Sequence, residues 1–138
     1  MADAAPNECL AQAVRTSGLP CEACPDGMAV EIDQSTIYEP NALVRCGAPL
    51  ADDAIKLNDP IIVVEVLSPS TRARDAGAKL ADYFRLPSVR HYLIVRTEDR
   101  AIIHHARGED GAIATSIARE GSIRLDPSGI TQAELFPG

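Results

Sequence analysis

The sequence contains no apolar stretch long enough to cross a membrane as a helix. Its most hydrophobic segment, around residues 61–68, is interrupted by Glu65 well short of the roughly 20 residues a span needs. The opening MADAAPNECLAQAV lacks the basic flank and apolar core of a secretory leader. Internal repeats, low-complexity tracts and linker-like stretches are absent, which argues against fibrous and disordered classes. With 138 residues, 46% of them apolar, the chain has material for one real core. The expectation is a single soluble, cytoplasmic domain over residues 1–138.

Several chemical signatures are missing as well. GAK within AGAKL lacks the upstream glycine of a phosphate-binding loop. Ser68 and Ser70 flank Pro69 with no histidine in a recognisable arrangement, so turn and capping chemistry explains them better than nucleophilic catalysis. Cys9, Cys21, Cys24 and Cys46 include one CxxC, in PCEACP, without a second pair at ligand spacing and without a βαβ frame. The cysteines are expected to be small buried hydrophobes with free thiols. The alternative is a zinc or thiol module on Cys21 and Cys24. His104 and His105 are adjacent in a strand-like run, so they point to opposite faces and cannot easily share one ion.

A net charge of -7 opposes non-specific attraction to nucleic acid or to an anionic membrane if spread evenly. It is uneven. Residues 1–71 carry three Lys/Arg against eleven Asp/Glu, residues 72–107 eight against four, and residues 108–138 two against five. The basic middle contains Arg72, Arg74, Lys79, Arg85, Arg90, Arg96, Arg100 and Arg107. It is either an ordinary solvated face or an edge that meets a polyanion.

Leu10, Ala11 and Val14 recur at helical spacing, which predicts a short helix over residues 7–17 with Asn7 as cap. Residues 28–32 and 42–46 are strand-like, and the polar residues 33–36 between them predict a hairpin or bent pair. Residues 47–58 read as a loop. A strand over 61–68 precedes a helix over 72–86, capped by Ser70 or Thr71, whose Ala76, Leu80, Tyr83 and Phe84 form an apolar side. Strands follow over 91–95, 101–105, 112–118 and 122–125, and Leu135 and Phe136 should order the tail. This order predicts an α/β or α+β fold, a mixed sheet with helices packed on it.

One stretch poses a question: IIVVEVLSPST, residues 61–71, reads as a strand buried on both faces yet holds a carboxylate. A buried ionised Glu65 requires a charged or hydrogen-bonding partner. Alternation places Ile61, Val63, Glu65 and Leu67 on one face, and the following helix must fold back across the sheet. Asp75, Lys79 and Asp82 share one side of that helix, and Lys79 can reach a strand carboxylate along its apolar stem. Two roles are open to Glu65. It forms a structural pair with Lys79, or it is a ligand for a hard divalent cation while Lys79 steers a water or phosphate.

YEPNALVRCG followed by NDPIIVVEVLSPSTRARDAGAKLADYFRLPSVRHYLIV resembles the Uma-type family of putative restriction endonucleases, within the PD-(D/E)XK nuclease superfamily. The similarity covers about residues 8–106 and falls on Pro40-Asn41, on residues 65–71, and on Asp75, Lys79 and Tyr83. It implies a restriction-endonuclease-like mixed sheet flanked by helices. It also implies Mg²⁺ or Mn²⁺ held by the residues at positions 41 and 65 and by the Val66 carbonyl. Leu67 occupies the usual lysine position, so Lys79 would be its migrated equivalent.

The implied activity is metal-dependent hydrolysis of DNA, with Glu65 and Lys79 catalytic, Tyr83 and Asp75 in support, and Arg72 and Arg74 on the flanking phosphates. Where the family has Asp this chain has Asn41, which brings no negative charge; Glu39, Glu31 or Asp33 are candidates to replace it. The alternative function is a catalytically impaired, nuclease-like module that binds nucleic acid or oligomerises. The resemblance also leads to the expectation that the chain lacks the family's usual N-terminal portion. Exposed sheet edges then predict a homodimer or larger assembly.

Overall fold

The two most continuous apolar runs, IVVEVL and HYLIVR, lie side by side as parallel strands and are buried along almost their whole length. Around them the computed structural model describes residues 21–25, 27–67, 73–98, 100–120, 123–125 and 130–132. The elements are β1 (Cys21–Pro25), β2 (Ala29–Asp33), β3 (Thr36–Tyr38), β4 (Ala42–Cys46), β5 (Lys56–Leu57) and β6 (Ile62–Leu67). Helix α1 (Ala73–Tyr83) follows, then β7 (His91–Arg96), β8 (Ala101–Arg107), β9 (Ile113–Ala118), β10 (Ile123–Leu125) and β11 (Ile130–Gln132). The predicted helix over 7–17, the Ser70 or Thr71 cap and the Leu135–Phe136 contribution lie outside the described residues.

The main sheet has six strands in the order β1-β4-β6-β7-β8-β9 and is antiparallel except for β6 against β7. A parallel neighbour demands a crossover, and α1 supplies it. The fold is therefore α+β, a mixed sheet with a helix packed on it, as expected. Both faces of the sheet are covered. On one, Leu43, Val63, Tyr92 and Ile94 pack with Tyr83, Leu86 and Val89 and with Val30 and Leu57 of a three-stranded sheet ordered β3-β2-β5. On the other, Val44, Ile62, Val64, Leu93, Val95 and Ile102 pack with Ile123 and Leu125 of the β10–β11 pair.

Three expectations are corrected. Residues 28–32 do not pair with 42–46: β2 turns back on β3, with Asp33 opposite Thr36, and β4 belongs to the main sheet. The turn is held by Asp33 Oδ1, which accepts from the Ser35 N–H at 2.8 Å, as Asp does in short turns. The loop over 47–58 includes β5, which runs parallel to β2. Third, the thiols are not all free. Cys21 and Cys46 sit directly opposite each other on β1 and β4 and form a disulfide, leaving Cys24 as a buried free thiol among the described residues. Cys21 packs with one core and Cys24 with the other, because alternation turns them to opposite faces. A shared zinc site on that pair is thereby excluded.

Alternation also separates His104 from His105. His104 Nε2 lies 2.9 Å from His91 Nδ1, whereas His105 Nδ1 lies 2.8 Å from Thr115 Oγ1. Burial, helped by His91 and His105, pushes the His104 pKa down from 6.5 to about 4, and burial lowers His105 too. Both are neutral in the fold at pH 7. The unfolded chain takes up protons below about pH 6.5 that the folded chain refuses, so this contribution is full above pH 6.5 and is lost as pH falls toward 4. The thermal midpoint should decline between about pH 6.5 and 5, and His104→Gln should flatten that slope. Equal slopes for the two proteins would show that His104 does not carry the effect.

Candidate active site

Glu65 lies near the C-terminal end of β6, opposite Ile94 of β7, and is 7% exposed. Its neighbours along the strand, Val63 and Leu67, pack toward the helix-bearing core, and so does Glu65. A carboxylate so enclosed costs several kcal/mol unless donors reach it. Helix α1 provides them. Tyr83 Oη donates to Oε1 at 2.9 Å, and Lys79 Nζ stands 3.5 Å from Oε2. A spacing of four sets both residues on one side of the helix. The Lys79 side chain is 30% exposed against 10% for that of Glu65, so the lysine is the more solvent-accessible member of the pair.

Asn41 approaches from the other side of β6. Its N–H donates to the Val64 carbonyl at 3.0 Å, and its Oδ1 accepts from the Val66 N–H at 2.8 Å. The β4–β6 register ends with Ala42 opposite Val64, one residue short of Asn41 and Glu65. The side chain thus completes the ladder where Pro40 ends it. Asn41, Glu65, Val66, Lys79 and Tyr83 are drawn together at one end of β6.

Other candidates are placed elsewhere. Glu39 is exposed. Glu31 pairs with Lys56 at 3.1 Å, and Asp33 pairs with Arg85 at 2.7 Å. The Arg85 and Ser35 bonds hold the Asp33 carboxyl well below the usual carboxylate range. The side chains of Arg74 and Asp75, and the whole of Arg72, lie outside the described residues. Within the basic middle segment some cations have structural work. Arg107 donates to the Phe84 and Leu86 carbonyls beyond the last turn of α1 and stacks on the Phe84 ring at 5.1 Å, a favourable place for a cation. Arg85 also reaches Asp82 at 3.5 Å.

Sequence reasoning overlooked two tyrosines. Tyr38 ends β3 and Tyr92 is the second residue of β7, yet their rings stand 5.4 Å and 5.1 Å from that of Tyr83. These are the chain's three tyrosines, gathered beside one carboxylate. Tyr38 Oη donates to Asp82, and its ring lies 5.5 Å from Lys79 Nζ. That bond to Asp82, with burial, pushes the Tyr38 hydroxyl up to about 12. Burial and the adjacent Glu65 push Tyr83 and Tyr92 far above the usual range. All three therefore remain protonated, which suits Tyr83 as a donor to a carboxylate. Tyr92 Oη is buried without a hydrogen-bond partner among the described residues. Parity along β7 could have put Tyr92 on the Glu65 face; nothing local points to Tyr38.

The donor set can be compared with the needs of a cation. No group of three or more His, Cys, Asp or Glu side chains among the described residues could hold a metal. The site offers instead the Glu65 carboxylate, the Asn41 amide oxygen and the Val66 backbone carbonyl. All are oxygen donors, and one is anionic. Such a set fits Mg²⁺ completed by water, since that ion is often held by one or two carboxylates. It does not fit a transition metal that favours nitrogen or sulfur.

Comparisons with known proteins bear on the family and the fold. The Uma2 family model, described as putative restriction endonuclease, matches residues 7–135. An uncharacterized protein of Synechocystis sp. is 32% identical over 92 residues, 66% of this chain and 48% of that protein. The chain thus spans about half the length of that curated relative. A crystal structure of a putative nuclease belonging to DUF820 from Anabaena variabilis matches with a TM-score of 0.69, covering 88% of this chain and 68% of that one at 10% identity. At that identity the likeness shows a common fold.

Tyr83→Phe keeps the buried ring and removes a donor from Glu65. It should lower stability to urea by about 1.5–3 kcal/mol, the range for a hydrogen bond to a charged group. Lys79→Met should cost about 1 kcal/mol or less, because the Lys79 side chain is partly exposed. The reverse ranking would show that the lysine, not the tyrosine, sustains the buried carboxylate.

Proposed function

The chain belongs to the Uma2 family of putative restriction endonucleases, and from that premise and the Glu65 cluster we propose that it is a metal-dependent nuclease acting on DNA. The observation that carries the proposal is a carboxylate 7% exposed whose ion-pair partner 3.5 Å away, Lys79, has a side chain 30% exposed. A half-buried lysine beside a buried carboxylate can meet an incoming anion as well as satisfy the acid.

In this reading Glu65, Asn41 and the Val66 carbonyl would hold Mg²⁺ or Mn²⁺. When bound, such an ion offsets phosphate charge and lowers the pKa of a coordinated water. Lys79 stabilises negative charge developing on the phosphate or orients the attacking water. Tyr83, held protonated, fixes the carboxylate so that Oε2 faces Lys79. Arg72 and Arg74, shortly before Lys79 in the sequence, would contact flanking phosphates, which position a duplex without reading its sequence. The support for DNA is the family and the local excess of basic residues over 72–107.

Asn41 favours a second reading. An amide at this place keeps the bond to the Val66 N–H and contributes no charge. Glu65 and Lys79 then nearly cancel, so cation affinity leans on the charge of the substrate phosphate. A member with this site would be slow, or would bind nucleic acid without turnover.

Plasmid cleavage in Mg²⁺ or Mn²⁺ tests both. Activity should fall by at least about 100-fold in Glu65→Ala, a scale typical of losing a principal electrostatic group. Cleavage that survives Glu65→Ala would remove the catalytic assignment. Asn41→Asp should strengthen Mg²⁺ binding and raise the rate about tenfold or more if the amide is what limits the site. A wild-type protein that binds DNA but cleaves only after Asn41→Asp is the outcome expected of the impaired module.

A further inference from the structure

The two edges of the main sheet are unlike. At one, β1 carries Pro25 and the charged Glu22 and is crosslinked to its neighbour through Cys21–Cys46. Proline and charge are the usual protections of an edge against further pairing. At the other, β9 reads IATSIA: no charge, no proline, six residues long. Among the described residues it has a strand partner on one side only, β8. In an antiparallel strand every second residue directs its N–H and C=O away from its partner, so β9 offers an outward ladder. Ile113 is 43% and Ile117 65% exposed, and both share a face with Thr115.

We propose that β9 pairs antiparallel with β9 of a second copy about a two-fold axis through Thr115, joining two six-stranded sheets into one. The occupant follows from the residues. A two-fold axis normal to a sheet keeps each face on its own side, so only positions of equal parity can stand opposite each other.

Two registers are central in a strand of this length. Centred on Thr115, Ile113 meets the partner's Ile117, Ile117 meets the partner's Ile113, and Thr115 meets the partner's Thr115. On the other face, Ala114 meets the partner's Ser116. Each exposed isoleucine thereby covers another, and apolar and Thr–Thr pairs are favourable cross-strand combinations. Centred on Ser116, Ile113 would face the partner's Arg119 and Ile117 the partner's Thr115, which leaves the isoleucines poorly matched. The strand is self-complementary in the first register, which is why a second copy fits better than an unrelated peptide. The candidate site on β6 lies beyond β8 and β7 in strand order, so pairing leaves it open. The proposal is independent of whether the protein cleaves DNA.

Light scattering or sedimentation at about 100 µM should give the mass of a dimer, the range in which modest interfaces associate. Ile117→Lys should weaken association by at least about tenfold with unchanged circular dichroism. Mild oxidation of Thr115→Cys should give a covalent dimer beyond any wild-type background, and Ser116→Cys should not. The cysteine pair decides the matter if Ile117→Lys does not fold. A monomeric mass at that concentration, a dimer indifferent to Ile117→Lys, or crosslinking by Ser116→Cys as efficient as by Thr115→Cys would each overturn the proposal.

Discussion

The enclosure of one carboxylate organises this molecule. Glu65 is buried in the helix-bearing face of the main sheet, and its charge is met by Tyr83 and Lys79 of α1. Apolar packing alone is nearly indifferent to small rotations of a helix on a sheet. A hydrogen bond at 2.9 Å to a buried oxygen is not. Once Tyr83 is fixed, its ring sits between Tyr38 and Tyr92, and Tyr38 brings β3 onto the helix through Asp82. Arg85 joins the same small sheet to α1 through Asp33, and Arg107 holds the carbonyls beyond the helix end. The polar contacts thus set where the apolar surfaces meet.

Strand β4 is held at both ends by different chemistry. At its far end Arg45, buried, bonds to Glu22 at 2.9 Å, to Asp59 at 3.0 Å and to the Ala48 carbonyl, beside the Cys21–Cys46 link. An arginine fork satisfied by two carboxylates is a rigid anchor. At its near end the Asn41 side chain bonds to the Val66 N–H. An aspartate could accept that same bond. Asn at position 41 therefore conserves the shape of this corner and removes only a charge, so its consequences are electrostatic rather than structural.

What was legible in the sequence was whatever periodicity and direction determine. Continuous hydrophobicity identified β6 and β7, and alternation with a necessary crossover was enough to bring Lys79 to Glu65. Partner choice was less accessible. Residues 42–46 looked like the hairpin mate of 28–32, but two turn residues sufficed for β3 to return first, and that short strand has little pattern of its own. No strand was read over PCEACP, so the register that sets Cys21 against Cys46 had nothing to rest on. The tyrosine cluster joins residues far apart in the chain through packing alone, which no local pattern encodes. The acids proposed to replace the missing charge share a neighbourhood in sequence with Asn41, but Lys56 and Arg85 hold two of them in the small sheet.

The position of the cluster follows from the strand directions. β6 has an antiparallel neighbour on one side and a parallel one on the other. At its C-terminal end the chain leaves toward α1 and β7 on one side, while on the other side β4 is only beginning. Connections diverge there, and in open sheets such a divergence is where a crevice forms and ligands are met. The end of β6 and the start of β4 supply Glu65 and Asn41 to this point, and the helix that must cross the sheet next supplies Lys79 and Tyr83. Glu65 and Asn41 are tolerated at this end of the sheet because each finds a hydrogen-bond donor there. The middle of β6, paired on both sides and covered on both faces, has room only for Ile62, Val63 and Val64.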